Sequence, residues 1–294
     1  MTDQRRAILF ALMAVCFWST VAVAFKLSLQ HLEVIELLLF STLFSTLVLG
    51  IILLGQGKFN LIFRCTIKEY RLSILLGFLN PFLYYLILFK AYELLPAQQV
   101  QPINYTWAIM LSILAVPFLK QKLTARQSLA LVGGYLGVVI IATKGNFLEL
   151  KFTDPLGVFL ALLSTVIWAL YWIFNTKERR DPVVGLFVNF VCSLPFIFIY
   201  YLWTTDFRSL PVEGLIGAVY IGVFEMGVCF VMWLTAMKLT NSTAQISTMI
   251  FLSPFMSLVL ISYFLGETIE PATLIGLALI VVSIIFQNYR TKNP

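Results

Sequence analysis

The stretch Gly222–Ala236 reads Gly-Val-Phe-Glu-Met-Gly-Val-Cys-Phe-Val-Met-Trp-Leu-Thr-Ala. It lies inside an apolar run, residues 215–237, which is long enough to cross a lipid bilayer as a helix of about 20 residues. Glu225 stands near the middle of this run. Because a carboxylate at the bilayer centre costs at least about 2–3 kcal/mol, such an acid usually faces a bundle interior or a wet cavity and has a function there.

The same pattern occurs 145 positions earlier in the chain. In the stretch Gly77–Ala91, Asn80 takes the place that Glu225 has in the later stretch. A second match joins Trp18 to Trp168, because each follows an Ala-Leu pair at the same distance within an apolar run. The chain therefore contains two related halves, each with one polar side chain at mid-depth in the corresponding helix. Such an arrangement is typical of a solute pathway between two repeats.

The composition predicts the class of protein. Of the 294 residues, 60% are hydrophobic and 12% are charged, and the mean hydropathy is +0.93. A soluble protein of this size cannot hide so much apolar surface, so we predict an all-α integral membrane protein with a single membrane domain. Ten apolar runs have the length of a spanning helix: residues 7–27, 34–54, 72–92, 98–119, 127–143, 156–175, 183–203, 215–237, 243–265 and 272–289.

The basic residues predict how this bundle is oriented. With the N-terminus in the cytoplasm, fifteen of the twenty Lys and Arg residues lie on the cytoplasmic side, four lie outside and Lys90 lies within a helix. Because cytoplasmic loops carry an excess of Lys and Arg, both termini are predicted to be cytoplasmic. Five helices fall in each half, residues 1–143 and residues 144–294. Since five is odd, the second half enters the membrane in the opposite sense and forms an inverted repeat.

This layout resembles the drug/metabolite transporter superfamily, in the ten-helix branch built from two EamA-type halves. The resemblance is carried by the mid-helix tryptophans and by the exit from the ninth helix: Trp18, Trp168 and Phe264-Leu265-Gly266-Glu267, followed by Pro271 and Gly276. The first half departs from the family pattern, because Lys120-Gln121-Lys122 stands where an acidic residue is common. The resemblance implies a multi-pass secondary transporter of the bacterial cytoplasmic (inner) membrane. It also implies alternating access through a central cavity, often for the export of amino acids or other metabolites.

The polar residues at mid-depth are the first candidates for substrate binding. Glu225 could bind a substrate amine or carry a proton, although a structural acid bonded to a neighbouring helix would leave the same pattern. Asn80 could bind a carboxylate or an amine through its amide, or it could form only an interhelical hydrogen bond. Pro81 and Pro254 each free a carbonyl one turn back, so we expect hinges there, with Ser253 beside the second; harmless kinks are the alternative.

Aromatic and amide side chains form the second group of candidates. An aromatic wall suits an apolar or aromatic side chain, or a cation over a ring face. The alternative is that these rings pack the core or anchor helices at the interface, although Trp18 and Trp168 recur at mid-depth. The further members of the predicted substrate-binding set are Tyr84, Asn104, Trp107 and Tyr171.

The charges at mid-depth favour one class of substrate. The membrane centre offers one acid and no base, whereas an anionic solute would need a Lys or Arg clamp. This favours a zwitterionic or cationic solute with an apolar part, and an amino acid, aromatic or apolar, fits best. A flippase of a lipid or lipid-linked sugar and a nucleotide-sugar or drug transporter are the alternatives. No phosphate-binding loop, metal-ligand spacing or membrane-protease pattern occurs in the sequence, so we expect neither an enzyme nor a cofactor. Protons are a possible coupling partner, and the chain is expected to be a monomer or a homodimer.

Overall fold

The computed structural model describes residues 3–120, 125–146, 154–175, 177–206, 208–240, 246 and 249–288. Within these ranges the regular elements are all helical. In chain order they are α1 (Asp3–Leu29), α2 (Val34–Gly55), a 3₁₀ turn (Phe59–Arg64), α3 (Ile67–Gly77), a π segment (Phe78–Leu83), α4 (Tyr84–Leu94), α5 (Ala97–Asn104), α6 (Trp107–Leu119), α7 (Ala125–Ala142), α8 (Pro155–Asn175), α9 (Pro182–Thr204), α10 (Val212–Tyr220), a second π segment (Ile221–Val228), α11 (Cys229–Leu239), α12 (Leu252–Leu265) and α13 (Pro271–Asn288).

Seven of the described helical runs are long and apolar enough to cross a membrane. Three shorter apolar helices, Ser128–Ala142, Leu252–Leu265 and Pro271–Phe286, correspond to the remaining predicted spans. The start of the predicted run 243–265 lies partly outside the described residues. Large apolar side chains are exposed on the outer surface, as expected where helices meet lipid, for example Ile199 at 66% and Val259 at 69% exposure. The chain is therefore a multi-pass helical membrane protein.

Two of the long helical runs are interrupted by wider turns of the π type. The first interruption, Phe78–Leu83, contains Asn80 in an extended conformation (φ −147°, ψ 120°) and Pro81, which has no N–H to donate to the helix. The second, Ile221–Val228, contains Glu225. The two polar residues singled out in the sequence therefore both lie in π segments, where the helical hydrogen bonding changes. Such segments often occur at functional sites.

Glycines allow close contacts beside both interruptions. A Cβ atom at Gly77 would overlap the backbone oxygen of Asn189 on α9. A Cβ atom at Gly222 would overlap the backbone oxygen of Ser41 on α2. Each helix backbone therefore lies directly against a neighbour, and any side chain at these two positions would push the helices apart.

The helices α7 and α13 form a tightly packed pair along one side of the bundle. A Cβ atom at Gly137 would stand 2.6 Å from the backbone oxygen of Gly276, and the reverse distance is also 2.6 Å. Small residues permit this approach, as is common between helices in membranes. The glycine-rich face of α7 thus packs within the chain.

The loops gather at two ends of the bundle. At the end where α1 begins and α11 finishes, called here the Lys238 end, Lys58 and Lys238 lie 2.8 and 3.9 Å from the carboxylate of Asp181. At the other end, called the Glu267 end, the guanidinium of Arg208 donates to Glu36 on α2 at 2.9 Å. These contacts join early and late parts of the chain at both ends.

Candidate functional site

A cavity of about 630 Å³ lies between α1, α4, α5, α6, α8 and α11. Its size falls in the range of about 300–1,000 Å³ that is usual for small-molecule sites. The lining runs from Tyr92 and Gln101, on the side toward the Glu267 end, past Glu225 to Leu119 and Met237, which lie at the Lys238 end. Six of the residues predicted from the sequence line its wall: Trp18, Tyr84, Asn104, Trp107, Trp168 and Glu225.

Glu225 is the acid on this wall. The π segment turns its side chain toward α1 and α4, and only 9% of the residue is exposed. The hydroxyl of Tyr85 donates to Oε1 at 3.0 Å, and the indole of Trp18 lies beside the carboxylate. Among the described residues, Oε2 has no hydrogen-bond partner. Because a buried polar atom is normally paired, this oxygen suits a donor supplied by a ligand.

Aromatic rings surround this acid. Trp168 contacts Tyr84 with ring centroids 4.6 Å apart and Phe230 at 6.0 Å. Trp18 contacts Phe230 at 6.1 Å and Trp233 at 5.3 Å. Phe230 therefore connects the two tryptophans that the sequence repeat had matched. The resulting wall offers flat apolar surface and ring faces that attract a cation.

Phe230 and Trp233 were not among the predicted site residues. Both lie on α11, after the π segment that carries Glu225. Trp233 comes two helical turns after Glu225, so a search along that helical face would have found it. Phe230 comes five residues after the acid and lines the same cavity, although a regular helix would place residues at this spacing on different faces; the wider turns of the π segment lie between them.

Amide groups supply further polar surface in the cavity. Asn104 donates from Nδ2 to Ser164 at 2.9 Å and accepts from the hydroxyl of Tyr84 at 3.3 Å. Gln101 also lines the cavity and accepts a hydrogen bond from Tyr92. The cavity thus carries one acid and several neutral donors and acceptors, and the described part of its lining contains no Lys or Arg.

The other predicted residues lie away from the lining. Asn80 is fully buried in the first π segment, and Tyr171 adjoins it from α8. Ser253 is also fully buried, and Ser19 donates to it at 3.5 Å. Pro254 stands in the first turn of α12, where a proline interrupts no hydrogen bond inside that helix. Direct contact between the substrate and these residues stays a prediction, as do the two hinges at Pro81 and Pro254.

The class of protein follows from these features together with a comparison to known families. A multi-pass helical bundle enclosing a polar and aromatic cavity at mid-depth has the form of a membrane transporter. The model of the EamA-like transporter family matches residues 5–143 and again residues 155–289. Because these matches cover most of the chain, the protein belongs to the EamA-like transporter family.

Several relatives carry transporter names. The chain is 26% identical over 256 residues to an uncharacterized transporter, YvbV, of Bacillus subtilis (strain 168), with 85% of this chain and 81% of the relative covered. It is 26% identical to protein PecM of Dickeya dadantii (strain 3937), with 94% and 90% covered. A probable terminal-alkyne amino-acid exporter of Streptantibioticus cattleyicolor is 28% identical over 189 residues, or 61% of this chain and 60% of the relative.

A solved crystal structure has the same fold. It superposes with a TM-score of 0.66 at 19% sequence identity, and 96% of each chain is covered. At this identity the likeness concerns the fold alone.

Proposed function

We propose that this protein is a secondary transporter that exports a small organic metabolite across the cytoplasmic membrane, and that the metabolite is an amino acid with an apolar or aromatic side chain. The observation that carries the proposal is the acid on the aromatic wall: Glu225 lines the cavity, and its Oε2 has no partner among the described residues. A primary ammonium group supplies the positive charge and the N–H donors that such an oxygen lacks.

The rest of the lining fits the other parts of an amino acid. The side chain would lie against Trp18, Trp168 and Phe230, which form the ring wall beside the acid. The carboxylate would accept from Asn104, because an amide nitrogen has two N–H groups and only one is used by Ser164. A relative named as an amino-acid exporter supports this substrate class.

The contacts between helices support an inverted repeat with alternating access. Pairs of contacts recur when the two halves are exchanged: α1 packs on α11 and α12, while α8 packs on α4 and α6. Likewise α2 packs on the second π segment and α9 on the first. The family model also matches each half separately. We propose two five-helix halves, residues 1–143 and residues 144–294, related by a two-fold axis in the membrane plane.

The positions of the basic residues support cytoplasmic termini. The Lys238 end carries the excess of Lys and Arg that is typical of the cytoplasmic side. Since the cavity lining continues to Leu119 and Met237 at that end, a solute would enter it from the cytoplasm. Loading from the cytoplasm suits export. Coupling to protons or to a second solute is part of the proposal, because the sequence contains no phosphate-binding loop for nucleotide-driven transport.

Transport in proteoliposomes tests the function. The panel contains phenylalanine, its amide, its N-acetyl derivative, 3-phenylpropionate and a nucleotide-sugar, each measured with and without a pH gradient. We expect movement of the two compounds with a free amine and none of the two amine-free phenyl compounds. Equal transport of the N-acetyl derivative would exclude the assigned role of Glu225. Movement of a labelled lipid or of the nucleotide-sugar, without that of amino acids, would favour the alternatives instead.

A further inference from the structure

The turn between α12 and α13 is held against the beginning of α5. Both oxygens of the Glu267 carboxylate accept backbone N–H groups there, Oε1 from Ala97 at 2.8 Å and Oε2 from Gln98 at 3.1 Å. These are the first two residues of α5. The bonds join the second half of the chain to the first, over about 170 residues of sequence.

Helix physics explains why this contact is strong. The first N–H groups of a helix have no partner within the helix, and its start carries a partial positive charge. The residue before α5 is Pro96, whose side chain has no oxygen with which to cap these groups. Glu267 supplies the missing acceptors and a negative charge from a distant part of the chain. Removing its charge would therefore weaken two bonds at once.

The Gln98 side chain adds a second set of bonds to the same turn. Its Nε2 donates to the backbone oxygen of Thr268 at 2.9 Å. Its Oε1 accepts from the backbone N–H of Glu270 at 2.9 Å and from the hydroxyl of Thr273 at 3.2 Å. The side chain is buried. Because all of these donors and acceptors are paired, the hydrogen bonds fix one relative position of α5 and the α12–α13 turn.

This contact lies beyond the closed end of the cavity. On the side toward the Glu267 end, the lining includes Tyr92 and Gln101, which are hydrogen-bonded to each other. Along the chain between these two residues are Leu95 and Ala97, which are 1% and 0% exposed, and Ala97 is one of the two residues that donate to Glu267. A solute in the cavity therefore meets a packed barrier in this direction. For the cavity to open at the Glu267 end, α5 and the α12–α13 turn must separate.

We propose that Glu267 is a gating residue, whose carboxylate latches the two halves together and keeps the cavity closed at the Glu267 end when no substrate is bound. The inference rests on the proposed transport function, because a gate has a purpose only if the cavity opens alternately. Only the second half of the sequence has an acid at this position of the repeat. At the repeat offset of 145 residues, Lys122 takes the place of Glu267, and lysine has no acceptor oxygen. The matching position of the first half therefore cannot form the same latch, and the Lys238 end is held by other contacts, such as that of Lys58 with Asp181.

Thiol labelling of the full-length protein tests the latch without any substrate. The four native cysteines are replaced by serine, and Leu88 on the cavity wall is replaced by cysteine as a reporter. A membrane-impermeant maleimide is added at the Glu267 side of oriented vesicles. We expect Glu267→Gln to raise the labelling rate at position 88 about tenfold or more, since two charge-assisted bonds are weakened. Glu267→Asp, which keeps the charge on a shorter side chain, should give a smaller rise.

Two further variants make the result decisive. Glu213→Gln makes the same chemical change at an exposed position of the same end and should leave labelling unchanged. Gln98→Ala removes the second set of bonds and should also speed labelling, so it replaces Glu267→Gln if that protein does not fold. Wild-type labelling rates in both latch variants, with a cooperative melting transition, would overturn the proposal, and so would an equal rise in Glu213→Gln. The labelling rate does not depend on which solute is carried, so a failed transport panel would leave this result interpretable.

Discussion

Replacing Glu225 by glutamine is the most direct perturbation of the proposed substrate site. Glutamine has nearly the same shape, and its amide oxygen can still accept the hydrogen bond that Tyr85 now donates to Oε1 at 3.0 Å. The fold around the second π segment should therefore be kept. What is lost is the negative charge on the cavity wall and the acceptor Oε2, which becomes an amide nitrogen.

The size of the effect can be worked from this geometry. An ammonium group that pairs with Oε2 would form a charge-assisted hydrogen bond, worth about 1.5–3 kcal/mol net. Losing it should raise the Kd of an amino acid by about 10- to 150-fold. The full Coulomb energy of two charges at 4 Å, about 4 kcal/mol at an effective dielectric constant of 20, sets the upper limit.

Intrinsic fluorescence provides the assay, because Trp18 and Trp168 line the cavity and should report its occupation. Phenylalanine and N-acetylphenylalanine are titrated into the wild-type protein and into Glu225→Gln. We expect the variant to lose affinity for the free amine only. Tyr85→Phe is the matched control, because it removes a neutral donor to the same carboxylate and keeps the charge, so the preference for a free amine should remain. Unchanged affinity of Glu225→Gln for phenylalanine would refute the reasoning.

Two predictions concern the scaffold around the site. Gly222→Ala should destabilise the detergent-solubilised protein by about 1–3 kcal/mol, because the new Cβ atom meets the backbone of α2. Gly55→Ala is the control and should be close to neutral, because its Cβ atom meets open space. Equal melting temperatures for the two variants would contradict this prediction. Arg180→Gln should cost about 1–3 kcal/mol, because the carboxylate of Glu178 loses its charged partner and keeps only neutral donors such as the backbone N–H of residue 180. Burial favours the neutral acid, but the hydrogen bonds and charge of Arg180 outweigh it and hold the pKa of Glu178 below its ordinary value of 4.5. The stabilisation by this pair should therefore be complete above pH 4.5 and decline as the pH falls through the lowered pKa, so a melting temperature difference that grows on acidification would contradict it.

The sequence made part of the site predictable because a charge in an apolar run is conspicuous. Glu225 and the repeated pair Trp18 and Trp168 could be singled out since the bilayer excludes acids and places tryptophans at its surfaces, so exceptions at mid-depth stand out. The structure places all three on one cavity wall. Phe230 was not predictable in the same way, because a phenylalanine in a membrane helix is ordinary and only the direction of its side chain makes it part of the wall.

Asn80 shows the opposite case. Its place in the repeat made it a candidate as the partner of Glu225, yet it is fully buried in the first π segment and does not line the cavity. The repeat preserves the position of a helix interruption, but small differences in the turn decide whether the side chain points to the cavity or to a neighbouring helix. The spacing of residues in the sequence cannot predict the direction of these side chains, because a π turn rotates all later side chains relative to a regular helix.

Two properties could be inferred from the order of the amino acids: the chain forms apolar helices in a membrane, and an acid lies near the middle of one of them. Both follow from the free energy of transferring side chains from water to lipid, which depends on composition and order alone. The packing of the helices was needed to show which candidates share a cavity and which end of that cavity is closed. These properties depend on contacts between distant parts of the chain, such as Glu267 with the start of α5, and a carboxylate that caps a helix about 170 residues away leaves no local pattern.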